Sequence, residues 1–279
     1  MNIKRVLMRF ATRLIKGGIE LFGGSRAPEI SYRLAEALIP TVSQKCDIGT
    51  IYFYCPGRLS LYRAQTLFTK EPETIEWING FASGDVLWDI GACVGVYSLY
   101  AALKGSKVIS FEPSSVNYFL LNKNIEINKM ADRISAYCLA FSDKIILDSF
   151  YLRSTEGGSA RHCFGQSVDG KGEAFSPAFV QGMLGINIDD FINFFSASFP
   201  NHIKIDVDGI EENIIRGAQK TLSDGRVKSL LVEIDNEVGS KNIISLIESC
   251  GIRFCEKKHS ARYDNSKYSG VYNYIFRRE

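Results

Sequence analysis

The chain of 279 residues carries 33 Lys+Arg against 31 Asp+Glu, a net charge of +2, with 46% hydrophobic and 23% charged residues. These are globular values and exclude a disordered or collagen-like chain. The charge is divided unevenly. Residues 1–16 hold Lys4, Arg5, Arg9, Arg13 and Lys16 with no acid, which leaves 28 basic against 31 acidic residues, or −3, for the remainder. A body of that sign argues against a nucleic-acid partner.

In chain order, residues 1–24 read as a basic amphipathic helix, with Leu7, Phe10, Leu14 and Leu21 at helical spacing and Gly23-Gly24 as its stop. Arg9 and Arg13 break the apolar run, so no signal peptide is expected. Residues 28–45 suggest a second helix, Ile48–Cys55 a strand ended by Pro56-Gly57, and residues 71–82 a short helix. From residue 84 strand and helix alternate: Val86–Ile90, a helix after the glycines, Lys107–Phe111, a helix over 114–128, and Ile134–Leu139. The pattern resumes with Ile203–Ile205, a helix through Ile210, Ile214, Ala218 and Leu222, then Val227–Ile234 and a helix through Ile243 and Ile247. Two further strands, Ile252–Glu256 and Gly270–Arg277, close the chain.

Such alternation predicts an α/β fold: a doubly wound, mainly parallel seven-stranded sheet of Rossmann-like type, with the last two strands forming an antiparallel edge. The expected division is an N-terminal extension over 1–83 and a catalytic domain over 84–279. Between 144 and 201 the alternation fails in a Gly/Ser-rich segment, read as an inserted hairpin with a mobile tip near the site. Seven scattered cysteines without a C-x-x-C pair fit buried thiols in a reducing, cytoplasmic setting. Val86–Leu103 is long enough to span a membrane, but Asp89, Gly91 and Gly95 within it favour a strand, a turn and a buried helix.

Two constellations carry chemistry. Asp89-Ile-Gly91-Ala92-Cys-Val-Gly95 lies at a strand-to-helix switch, where glycines let a ligand approach the backbone. Glu112 ends the next strand, 17 residues after Gly95, placed to accept from a ribose diol. A nicotinamide fingerprint reads G-x-G-x-x-G and faces a pyrophosphate. Here an anion, Asp89, precedes D-x-G-x-x-x-G spacing, which suits a ligand with a cationic amino-acid end and no phosphate, as in S-adenosylmethionine. The second constellation is Lys204-Ile-Asp206-Val-Asp208-Gly-Ile-Glu211. Alternation sets Lys204, Asp206 and Asp208 on one side, where a carboxylate could take a hydroxyl proton or two could hold a divalent ion. Acids at a helix start also simply favour the macrodipole, an even alternative for Glu211. No metal site is assigned, although a divalent ion is compatible with these oxygens.

The stretch from Val86 to about residue 237 resembles the FkbM-type methyltransferase family, a branch of class I S-adenosylmethionine-dependent enzymes. The resemblance rests on VLWDIGACVGVYSLYAA, ISFEPSSVNYFLLNKNIEIN, Phe141-Ser-Asp143, INIDDFI at Ile186–Ile192, HIKIDVDGIEENIIRGAQKTL and SLLVEID in that order. Asp208 stands where the family usually has a glutamate, one methylene longer. The resemblance implies that Asp89, Gly91, Ala92 and Gly95 hold the methionine end of S-adenosylmethionine and Glu112 its ribose. It further implies that Pro113, Ser142 and Asp143 border the adenine and that Asp206 lies closest to the transferred methyl. It implies O-methylation of a sugar, polysaccharide precursor or secondary metabolite.

Asp206 is the first candidate base, with Lys204 beside it as a candidate catalytic residue. His162, in the insertion, is the second candidate base, against a reading as a solvated loop histidine. Tyr151, Arg153 and Arg161 are candidates for contact with the acceptor, with a solvated hairpin as the equal alternative; His202 and His259 are assigned no role. An RNA methyltransferase and a non-catalytic module with the same fold are the alternatives. The basic N-terminal helix is expected either to dock on an anionic membrane surface or a partner, or to pack on the core.

Overall fold

The computed structural model describes residues 3–168, 173–235, 240–260, 264 and 269–279. The chain divides into two units, residues 1–41 and 42–279, so the break lies well before residue 84. In the first unit, α1 (Ile3–Gly23) passes through a short turn into α2 (Ala27–Leu38). A Cβ on Gly23 would lie 3.0 Å from the Ala27 Cβ, so glycine suits this close approach. The helix expected to reach residue 45 ends at Leu38. Pro40 excludes the preceding residue from helical geometry, and Ile39 is extended at ψ 120°. The chain then enters β1 (Thr41–Cys46), which pairs with β2 (Gly49–Tyr54).

Residues 42–83 belong with the second unit. Asn128 and Asn124 on a later helix accept the Tyr52 and Tyr54 backbone N–H groups at 2.9 and 2.8 Å, fastening β2 in place. After β2 come α3 (Arg58–Gln65), which the sequence pattern does not announce, and α4 (Pro72–Asn79).

The alternating region follows as β3 (Val86–Ile90), α5 (Val96–Leu103), β4 (Lys107–Phe111), α6 (Ser115–Ile127), β5 (Ile134–Tyr137) and β6 (Ala140–Phe141). The insertion holds β7 (Ile146–Leu152), β8 (Cys163–Phe164) and β9 (Phe179–Ile186), and α7 (Ile188–Phe195) leads out of it. Then come β10 (His202–Ile205), α8 (Glu211–Arg216), α9 (Gln219–Ser223), β11 (Ser229–Asp235), α10 (Ser240–Ser249), β12 (Arg253–Lys258) and β13 (Val271–Arg277). Seven strands form one sheet in the order β12-β13-β11-β10-β3-β4-β5, in which β13 alone runs antiparallel, against its neighbours β11 and β12.

Strand alternation explains the two-sided burial. Trp88, Ile90, Ile203, Ile205, Leu230, Val232 and Phe276 enter one apolar cluster, while Leu87, Val108, Leu231 and Ile275 enter the cluster on the opposite face. Both faces must be dry because crossover helices cover both. The helix expected through residues 210–222 is broken at Gly217, where a Cβ would lie 2.4 Å from the Ser142 carbonyl oxygen. Asp189 caps the second half by accepting the Lys220 and Thr221 N–H groups at 3.0 and 2.8 Å.

The three strands of the insertion join β6 in a second sheet, in the order β6-β9-β7-β8. Of the Gly/Ser-rich stretch of the insertion, residues 169–172 lie outside the described residues. The Gly/Ser-rich part before them is pinned down. Asn117 accepts the Gly158 N–H at 2.8 Å and donates to the Ser159 carbonyl at 2.9 Å, and Glu156 accepts the Leu59 N–H at 3.0 Å.

Candidate active site

Ligands of doubly wound sheets bind at the carboxyl ends of the strands, where the strand order reverses. Here that point lies between β10 and β3. After β3, the Gly91 and Ala92 N–H groups both donate to the Phe111 carbonyl, at 2.9 and 3.0 Å. Gly91 has φ +86°, and a Cβ on it would stand 1.9 Å from the Asp206 carbonyl oxygen. Only glycine fits. Glu112, at the end of β4, accepts the Cys93 and Ser114 N–H groups at 2.8 Å each, one on either oxygen. Burial pushes its carboxyl up to about 7 against the pull of those N–H groups.

A cavity of about 550 Å³ opens over this edge, within the range of small-molecule sites. Of the residues assigned to cofactor and chemistry, Gly91, Glu112, Pro113, Asp206 and His162 line it. Phe111, Leu139, Phe141 and Phe150 make one end apolar. Ala92 and Gly95 shape the turn from behind the wall, Gly95 packing so closely that a Cβ would lie 2.5 Å from Leu121 Cδ1. Ser142 and Asp143 hydrogen-bond to each other at 3.2 Å, also off the lining.

Asp89 sits beneath the turn, 1% exposed. Its strand register pairs it with Lys204 on one side and Ser110 on the other. Its Oδ2 accepts from Ser98 Oγ at 2.5 Å, while its Oδ1 is buried without a partner. Burial raises its carboxyl, opposed chiefly by Lys204.

Lys204 itself is 1% exposed and off the cavity wall. Its Nζ lies 2.5 Å from Asp206 Oδ2 and 5.1 Å from the Tyr97 ring centroid. This corrects the catalytic reading of Lys204: it is a buried counter-ion that positions Asp206. For Asp206, burial opposes ionisation, but Lys204 and then Lys70 outweigh it and lower the carboxyl to about 2. Asp208, also on the wall, accepts the Arg161 N–H at 2.5 Å, and burial with the nearby Asp206 charge pushes it to about 6. Glu211 caps Gly209 at 3.0 Å, is pushed to about 8 by burial, and stays off the wall.

His162 is no solvated loop histidine; it is 8% exposed. Its Nδ1 accepts the Arg153 N–H at 3.2 Å, so the neutral ring carries its proton on Nε2, which has no partner. Burial lowers its pKa to about 4. With Nδ1 already accepting and Nε2 closed off by burial, the ring offers no free nitrogen to take a proton from an acceptor in the cavity, which tells against His162 as a base. Cys93 lines the cavity as a thiol, its pKa pushed up to about 11 by burial.

The sequence pattern missed much of the cavity wall: Arg63 of α3 lines it, as do Lys70, Glu71, Glu73, Glu233 and Asn273. Carboxylate oxygens of Glu71, Asp206 and Glu233 lie within 4.8 Å of one another. Lys70 pairs with Glu71, and Lys204 with Asp206, so ammonium groups already compensate two of the three. Asn273, the register partner of Glu233, donates to Glu73 Oε1 at 2.8 Å. Glu73 Oε2 and Asn273 Oδ1 remain buried without partners. Glu71 and Glu73 read in sequence as ordinary acids at a helix start, which concealed them.

Residues 89–254, more than half of the chain, match the methyltransferase FkbM domain. No curated protein sequence gives a match. Among solved structures, a magnesium protoporphyrin IX methyltransferase from Synechocystis PCC 6803 aligns at 10% identity over 88% of this chain and 90% of its own, with a TM-score of 0.47. A precorrin-6y C5,15-methyltransferase from Geobacter metallireducens GS-15 aligns at 14% identity over 75% of this chain and 87% of its own, with a TM-score of 0.44. TYW2 from P. horikoshii aligns at 12% identity over 85% of this chain and 69% of its own, with a TM-score of 0.44. By its matched domain and its own strand order, the chain belongs to the FkbM family of class I S-adenosylmethionine-dependent methyltransferases.

Proposed function

We propose that this methyltransferase acts on oxygen, transferring a methyl group to a hydroxyl of a sugar, polysaccharide precursor or other polyhydroxylated metabolite. The observation that carries this reading is the oxygen-rich wall of the cavity. Carboxylate oxygens of Glu71, Asp206 and Glu233 lie within 4.8 Å of one another, and Glu73 and Asn273 line the same cavity. Ionised carboxylates only accept hydrogen bonds, so this wall suits a substrate that brings several O–H donors. The −3 charge of the body beyond residue 16 argues against RNA as the acceptor.

Other residues of the site fit S-adenosylmethionine. Gly91 leaves a cradle that a Cβ would fill, Glu112 retains lone pairs for a diol, and the phenylalanines offer an apolar slot for a base. The partnerless Asp89 Oδ1 adds negative charge under the turn. When bound, the cofactor supplies an electrophilic methyl on a sulfonium, a good leaving group. The protein then has to align the acceptor, which supplies up to roughly 7–11 kcal/mol in well-oriented systems. Asp206, ionised across the working pH range, orients the hydroxyl and stabilises positive charge as it develops on oxygen. That oxygen becomes strongly acidic during transfer, so even a weak base suffices late in the step.

Two results test the reading. Radiolabelled methyl transfer across free sugars, methyl glycosides and total RNA is expected to label a carbohydrate, and Glu73→Leu is expected to raise the acceptor KM while leaving cofactor affinity unchanged. Label appearing in RNA alone overturns it. Second, Glu112 must be a carboxylate to accept both ribose hydroxyls. Since its pKa is raised to about 7, affinity for S-adenosylhomocysteine rises with pH, by about tenfold between pH 6 and 8 by proton linkage. Calorimetry of the wild type against Glu112→Gln checks this; a wild-type affinity that is flat with pH rejects the assignment.

A further inference from the structure

Along α1 the apolar side chains are turned to solvent. Leu7 is 61% exposed, Phe10 60%, Leu14 60% and Phe22 86%. At 100° per residue, Leu7, Phe10, Leu14, Ile15, Leu21 and Phe22 share one broad face of the helix. Arg9, Arg13, Lys16 and Glu20 occupy the opposite face, all exposed. No helix among the described residues is long and apolar enough to cross a membrane. A helix with one broad apolar face and a basic polar face lies flat at a lipid–water interface, where acyl chains take the apolar side chains and anionic headgroups the basic ones.

Pairing with a second copy fits less well. A helical seam with a second copy follows a 3.5-residue repeat, which here runs Leu7, Phe10, Leu14, Gly17, Leu21 and loses its central knob at Gly17. Such a seam is also narrower than the exposed face. Nor does a dimer seam call for basic residues with no acid across 1–16, whereas an anionic lipid surface does.

We propose that α1 is an interfacial anchor that holds this methyltransferase on an anionic phospholipid surface. The test is co-sedimentation of the full chain with vesicles of phosphatidylcholine alone and of phosphatidylcholine mixed with phosphatidylglycerol. The wild type pellets with the mixed vesicles and stays largely in solution with the neutral ones. Arg9→Glu/Arg13→Glu lowers partitioning at least tenfold, as does Phe10→Ser/Leu14→Ser. Both variants keep wild-type affinity for S-adenosylhomocysteine, which shows that the catalytic unit is folded. A wild type that ignores mixed vesicles overturns the proposal. So does a charge variant that binds undiminished, or a wild-type dimer that fails to bind lipid and dissociates in Phe10→Ser/Leu14→Ser, which would assign the face to a second copy.

Discussion

Asp206→Asn is expected to retain the fold and cofactor binding while lowering turnover about 10²–10⁴-fold on the acceptor that the labelling screen identifies. The side chain ends β10 on the cavity wall, and Lys204 and Lys70 keep it ionised with its carboxyl near 2. Asparagine keeps its shape and can still accept from Lys204 Nζ, now 2.5 Å from Oδ2, but it removes the charge that the proposed function sets against the acceptor hydroxyl. Removing one partner of a buried pair costs about 3–5 kcal/mol in the worst case. Here the loss is smaller, because Asp89, the register neighbour of Lys204, remains beside it.

A double variant separates chemistry from support. If Asp206 served only to neutralise Lys204, then Asp206→Asn/Lys204→Met would recover activity by removing both charges. If Asp206 acts on the acceptor, the double variant stays as slow as the single one. Turnover within a few-fold of wild type in Asp206→Asn alone would sink the assignment. The pH profile adds a second reading. Asp206 titrates too low to shape the rate above pH 4, whereas Asp208, pushed to about 6, puts a limb there if it takes the proton, with the rate rising as pH increases through 6.

The parts of this site that follow a local rule were legible in the sequence. Gly91 and Glu112 stand at the ends of adjacent parallel strands, and short continuous apolar runs, as two-sided burial requires, located those strands. The parts that depend on long-range folding were not legible. Glu73 reaches Asn273 across 200 positions of chain, and Arg63 enters the cavity from a helix with a weak amphipathic pattern. Lys204 shows the limit in the other direction. Its spacing from Asp206 correctly placed the two together, but the alternation that does so also drives Lys204 into the sheet face beneath α5, away from substrate. His162 was misread because a Gly/Ser-rich context implies solvent, while Asn117 and Glu156 hold that segment closed.

Gly91→Ala is expected to abolish S-adenosylhomocysteine binding and lower Tm by roughly 5–10 °C, which corresponds to about 2–3 kcal/mol for a chain of this size. Two costs add. At φ +86°, a residue with a Cβ pays about 1–2 kcal/mol for left-handed geometry. The added carbon would also lie 1.9 Å from the Asp206 carbonyl oxygen and 2.9 Å from its carbon, closer than atoms pack, so backbone must move. The obstacle is the end of β10, whose Asp206 N–H donates to the Ile90 carbonyl at 3.0 Å. Whichever strand end yields, Cys93 N–H shifts from Glu112 or Asp206 shifts from the acceptor, and the cofactor end and the reacting end of the cavity lose their common frame. Gly225→Ala, exposed and with nothing within 4 Å of its Cβ position, is the control and should bind as the wild type does. Calorimetric affinity and thermal denaturation of the two variants decide the matter: if Gly91→Ala binds as tightly as Gly225→Ala, the close approach of the β3 turn to β10 is not what builds this site.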